Sequence, residues 1–68
     1  MSPEAALALA KDKLGGPAGI ASHFDDLTPQ AVSQWKRIPV MRVRKIANLL
    51  GKQPGELRSD LAAELAAA

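Results

Sequence analysis

Apolar residues in this chain recur at three- and four-residue spacing, the pattern of helices that each bury one face. The stretch around which the rest is organised is Pro17–Arg37, PAGIASHFDDLTPQAVSQWKR. Its first half places Ile20, Ala21 and Phe24 on one side of a short helix running from Pro17 to near Phe24. Asp25 and Asp26 then break the helix into a tight turn. Thr28 is placed to cap a second helix and Pro29 to occupy its first position, where a missing N–H costs nothing. Leu27 and Val32 flank that cap and can close over it as a hydrophobic staple. The second helix is expected to run from Pro29 to Arg37 or Ile38. Val32 and Trp35 face inward, and Pro29, Gln30, Ser33, Lys36 and Arg37 face outward.

Three further helices follow from the same pattern. Ser2-Pro3-Glu4 supplies a cap, a proline start and an acid favourable to the helix dipole. That helix should run to about Leu14, burying Leu7, Ala10 and Leu14, and stop at Gly15-Gly16. Ile38-Pro39 ends the central pair. Val40–Leu50 then reads as a helix with Val43, Ile46, Ala47 and Leu50 buried and Gly51 as its stop. A last helix starts at Pro54 and is expected to reach about Leu61. The expected architecture is all-α, a compact five-helix domain over residues 1–61, followed by an alanine-rich tail, 62–68, that can be helical. Leu57, Leu61 and Leu65 recur every four residues, a stripe that suits either the core or a dimer seam, with Leu49 beside it.

Composition narrows the classes. At 68 residues without cysteine, the chain must rely on one small core, of a size that rarely supplies more than ~3–5 kcal/mol. One histidine and no cysteine exclude a His/Cys zinc site. Two adjacent carboxylates, Asp25 and Asp26, do not converge on one ion, so no metal and no cofactor is expected. There is no nucleophile–base pair and no phosphate loop, so the chain does not read as an enzyme. No apolar run approaches the ~18 residues of a membrane span and no signal-peptide pattern opens the chain, so a cytoplasmic protein is expected.

Net charge is only +2, yet its distribution is uneven. Residues 33–58 balance to +6, between a −2 segment at 1–32 and another −2 segment at 59–68. A basic middle that begins on the second helix of the central pair is the footprint of a nucleic-acid face. An outer face of glutamine, serine, lysine and arginine on such a helix suits the DNA major groove. Gln30 would read adenine or touch a phosphate, and Ser33 would meet a base edge or phosphate. Lys36, Arg37 and Arg42 would neutralise phosphates, with Arg44 and Lys45 as further candidates. The helix start at Pro17 could also hold a phosphate, with Gly15, Gly16 and Gly19 allowing close backbone approach; a flexible connector explains those glycines equally well. Trp35 reads as a core anchor and His23 as no part of the site.

The segment QAVSQWK at Gln30–Lys36, preceded by GGPAGIA at Gly15–Ala21, resembles small phage and prophage repressors of the Cro type and the YdaS-like regulators encoded beside toxins. The resemblance spans roughly Leu7 to Leu61, including ELRSDL at Glu56–Leu61. It implies a Cro/lambda-repressor-like helix-turn-helix fold and sequence-specific binding of double-stranded DNA to regulate transcription. By that resemblance, Ala21 stands where the two helices cross, Val32 is the buried aliphatic and Thr28 the cap. Gln30, Ser33 and Gln34 match base- or phosphate-touching positions, and Lys36 and Arg37 match backbone-contacting ones. The candidate DNA-binding set is therefore Thr28, Gln30, Ser33, Gln34, Lys36, Arg37 and Arg42. From Ala21 to Val32 the chain is one residue longer than the usual turn, an aspartate replaces a common glycine, and Pro29 replaces a polar residue. A homodimer on a two-fold operator is expected. The rival reading is an antitoxin-like protein-interaction module that binds a partner protein, with or without DNA.

Overall fold

Helix α1, Pro3–Leu14, begins where the sequence says it should: Ser2 accepts a hydrogen bond from the Ala5 amide through its hydroxyl, at 3.2 Å. It ends at Gly15, whose φ of +90° is the left-handed conformation that favours glycine. The computed structural model describes residues 2–67, with the side chain of Ala67 left aside. Within them the protein is all-α: α1, α2 (Gly16–Ala21), α3 (Pro29–Ser33), α4 (Val40–Leu50), α5 (Pro54–Leu57), a 3-10 turn (Ser59–Leu61) and α6 (Ala62–Ala67). No helix is long and apolar enough to cross a membrane.

One core holds these elements together. Ala6, Leu7 and Ala10 of α1 meet Ile20 and Ala21 of α2, Val32 of α3, and Val43, Ile46 and Ala47 of α4. Ile38, Leu57 and Leu65 complete it. Leu14, Phe24, Leu27, Trp35, Leu50 and Leu61 pack around that centre, half-buried. Helix α2 lies against both α1 and α3, and α5 lies against both α4 and α6. The α1–α2 approach is close: a Cβ on Gly19 would stand 1.7 Å from the Leu14 carbonyl oxygen. Gly19 thus serves helix–helix packing within the chain.

Four features depart from the sequence expectation. Helix α2 stops at Ala21 and not near Phe24, because the His23 and Phe24 amides bond back three residues, to Ile20 and Ala21. The Ser22 hydroxyl takes the Gly19 carbonyl at 2.6 Å, a local bond that competes with the helical ladder. Helix α3 ends at Ser33 and not at Arg37 or Ile38. The Gln34 and Trp35 amides bond back three residues, to the Ala31 and Val32 carbonyls, and the chain then bends through Lys36 and Arg37 to a fully buried Ile38 and the extended Pro39. The connection between α2 and α3 takes residues 22–28, longer than the ~3–4-residue turn of the compact motif, so it is not tight. Finally, the expected last helix divides at Arg58, whose φ of −130° and ψ of 72° leave the helical region. The part beyond Arg58 is a 3-10 turn, and α6 in the alanine-rich tail brings the α-helices among the described residues to six.

The residue 62–68 tail is helical as far as it is described. Leu65 on α6 is buried, Leu57 fully so, and Leu61 partly. The leucine stripe accordingly belongs to the core of this chain, and Leu57 and Leu65 are not free to form a dimer seam.

Candidate nucleic-acid interface

Helix α3 is built from its ends inward. Thr28, extended at φ −107°, accepts from the Ala31 amide through Oγ1 at 3.2 Å, and its carbonyl accepts from Val32 at 3.2 Å. Pro29 sits in the first turn without a wasted donor. Val32 points into the core, fully buried. Helical periodicity then sends Gln30 and Ser33 to solvent, with Gln34 at the C-terminal cap; all three are exposed. The Ser33 hydroxyl donates to the Gln30 carbonyl at 2.9 Å, which leaves its oxygen lone pairs for an outside donor. The glutamine amides of Gln30 and Gln34 take no side-chain hydrogen bond among the described residues.

Lys36 and Arg37 follow on a bend, not on the helix as the sequence suggested, and both are exposed. Among the described residues neither forms an ion pair. The charge of Arg37 reaches Asp60, where it helps hold that carboxyl below its ordinary range. Lys36 and Arg37 are therefore cations adjoining the outer face of α3 and open to an anion.

Arg42 stands differently. Its guanidinium grips Asp26 in two parallel hydrogen bonds of 3.0 Å, Nη1 to Oδ1 and Nη2 to Oδ2. It also lies 5.0 Å over the Phe24 ring, while Lys45 approaches the same ring at 5.1 Å. The bidentate pair ties the residue 22–28 connection to α4. It lowers the Asp26 pKa, mainly through the side-chain hydrogen bond from Arg42, and raises that of Arg42. Arg42 is thus a brace for the approach to α3, and a phosphate would have to compete with Asp26 for it. Asp26 acts in the turn, as its place in the sequence implied, and among the described residues no cluster suited to a metal occurs.

Sequence reasoning missed Arg58, counted only as part of the basic stretch. It is buried, and its Nη1 donates to the Ile38 carbonyl at 2.8 Å while Nε and Nη2 grip Asp60 at 3.0 and 2.8 Å. Arg58 anchors the chain end of the segment that carries Lys36 and Arg37. Arg44 is likewise engaged, donating to the Leu65 carbonyl at 3.1 Å near the end of α6. Lys52 stands 3.8 Å from Glu56. Of the seven cations in residues 33–58, the structure gives Arg42, Arg44, Lys52 and Arg58 hydrogen-bond or ion partners and sets Lys45 against the Phe24 ring. It leaves Lys36 and Arg37 exposed without an ion pair among the described residues. The sequence pattern does not report the partners of Arg42 and Arg44, nor the Ile38 carbonyl on Arg58, because they lie 16 to 21 residues away, whereas Lys52–Glu56 and Arg58–Asp60 are local pairs.

Comparison of the chain with protein-family models, with curated proteins and with solved structures finds no match.

Proposed function

We propose that the protein is a sequence-specific DNA-binding transcriptional regulator, with α2 and α3 acting as a helix-turn-helix pair of the Cro/lambda-repressor kind. One observation carries the reading. Gln30, Ser33 and Gln34 form an exposed face with hydrogen-bonding capacity to spare, and Lys36 and Arg37 adjoin it without internal ion partners. Glutamine amides match the donor–acceptor edge of adenine in the major groove, and the cations beside them match flanking phosphates. Thr28 positions the helix that presents them. The longest dimension of the chain, 30 Å, is below the ~34 Å of one DNA turn. One copy therefore spans one half-site, and two copies on an inverted repeat would supply the specificity that a single short helix cannot. The proposed set is Thr28, Gln30, Ser33, Gln34, Lys36 and Arg37, with Arg42 as support.

Selection of bound fragments from random double-stranded DNA tests this. A defined motif should emerge for the native chain, and Gln30→Ala should cost about 1–3 kcal/mol on that motif and relax one base pair of it. Failure to enrich any sequence, or an identical motif from Gln30→Ala, would refute the assignment.

A further inference from the structure

At the far end of α4 from Arg42, against the C-terminal half of α1, lies an open depression of about 190 Å³. Leu9, Leu14, Leu49 and Leu50 line it, and the only charged side chains on it are Lys13 and Lys52. Leu49 is 37% exposed, one of three large apolar side chains left so among the described residues. The volume falls below the ~300–1,000 Å³ of small-molecule pockets; it matches the aliphatic side chains of a docked segment. Lys13 forms no ion pair among the described residues. The contact of Lys52 with Glu56, 3.8 Å between half-exposed side chains, is of a kind that contributes little and leaves its ammonium open to a second carboxylate.

We infer that this depression docks an acidic amphipathic helix of a partner protein, whose aliphatic side chains seat among the four leucines while its carboxylates pair with Lys13 and Lys52. The helix-in-groove mode needs an apolar floor, which the four leucines supply, and the lysines beside it favour carboxylates on the partner's flanks. Charge decides against a second copy of this chain: a two-fold axis through the depression would set lysines against lysines. The docking residues of α4 lie roughly 10 Å along the helix from Arg42, at 1.5 Å per residue. The inference does not depend on DNA binding.

The test is a titration of the full chain, followed by amide NMR, with a synthetic helical peptide bearing leucines on one face and glutamates on the other. A counterpart with lysines in place of the glutamates serves as control. The glutamate peptide should shift the amides of residues 9–14 and 49–52 saturably, and the lysine peptide should bind at least about tenfold more weakly. Lys13→Glu combined with Lys52→Glu should reverse that preference. No saturable shift at millimolar peptide, equal response to both peptides, or shifts confined to another face would overturn the inference. So would a native dimer, detected by sedimentation, that Leu49→Asp converts to a folded monomer.

Discussion

Replacing Gly19 with alanine should unfasten the support on which α2 and α3 rest. The new Cβ would stand 1.7 Å from the Leu14 carbonyl oxygen and 2.6 Å from its carbon. Both are backbone atoms at the end of α1, so no flexible side chain can swing away, and α2 must move off α1. Overpacking of that kind costs about 1–3 kcal/mol, and so close an approach to backbone belongs at the upper end. Alanine returns up to about 1 kcal/mol of helix propensity, which leaves a net loss near 2 kcal/mol. A core of this size supplies only ~3–5 kcal/mol, so roughly half of the stability is at stake. At about 4–8 °C per kcal/mol for a small domain, the melting temperature should fall by about 8–16 °C. Thermal unfolding followed by far-UV circular dichroism measures this. Ala18→Gly, at an exposed neighbour in the same helix, serves as the control that loses propensity without a clash. A Gly19→Ala variant that melts at or above the native temperature would refute the packing argument.

Three other outcomes are expected. Asp26 and Asp60 have pKa values below the ordinary 3.8, mainly through hydrogen bonds from Arg42 and Arg58, so their stabilisation is complete above about pH 4 and is lost as pH falls through the lowered values; Asp26→Asn should flatten the acid limb of a stability–pH profile. Arg58→Met should cost about 1.5–3 kcal/mol in urea unfolding, because the buried Ile38 carbonyl loses its charged donor. Lys36→Ala and Arg37→Ala should each make the salt dependence of DNA affinity shallower by about 0.9 in log–log slope without shifting the melting temperature, whereas Arg42→Ala should lower the melting temperature by freeing the residue 22–28 connection.

Helices α1 and α4 were readable from the sequence because their boundaries are set locally. Ser2, Gly15 and Gly51 act on the residues next to them, and the stripes Leu7–Ala10 and Val43–Ile46–Ala47 need only a core somewhere opposite. The end of α3 was not readable, since Val32, Trp35 and Ile38 keep a three-residue spacing and the apolar pattern runs on past Ser33, where the Gln34 and Trp35 amides turn back to Ala31 and Val32. The division at Arg58 depends on the Ile38 carbonyl, 20 residues earlier, and no periodicity reports such a partner. The candidate interface divided in the same way. Thr28, Gln30 and Ser33 were placed by cap and helical phase, while the role of Arg42 turned on Asp26, 16 residues away.

The short span of α3 separates two tasks that longer helices mix. Its place in the fold rests on Thr28, on Val32 and on the packing of α2 and the Asp26–Arg42 brace beside it, while the outward residues Gln30, Ser33 and Gln34 lie outside the core. Substitutions at those three positions can therefore change the chemistry of that surface while the folded population stays constant. Under the proposed function, a lineage of such chains could drift from one DNA target to another through single steps, none of which passes through an unstable intermediate.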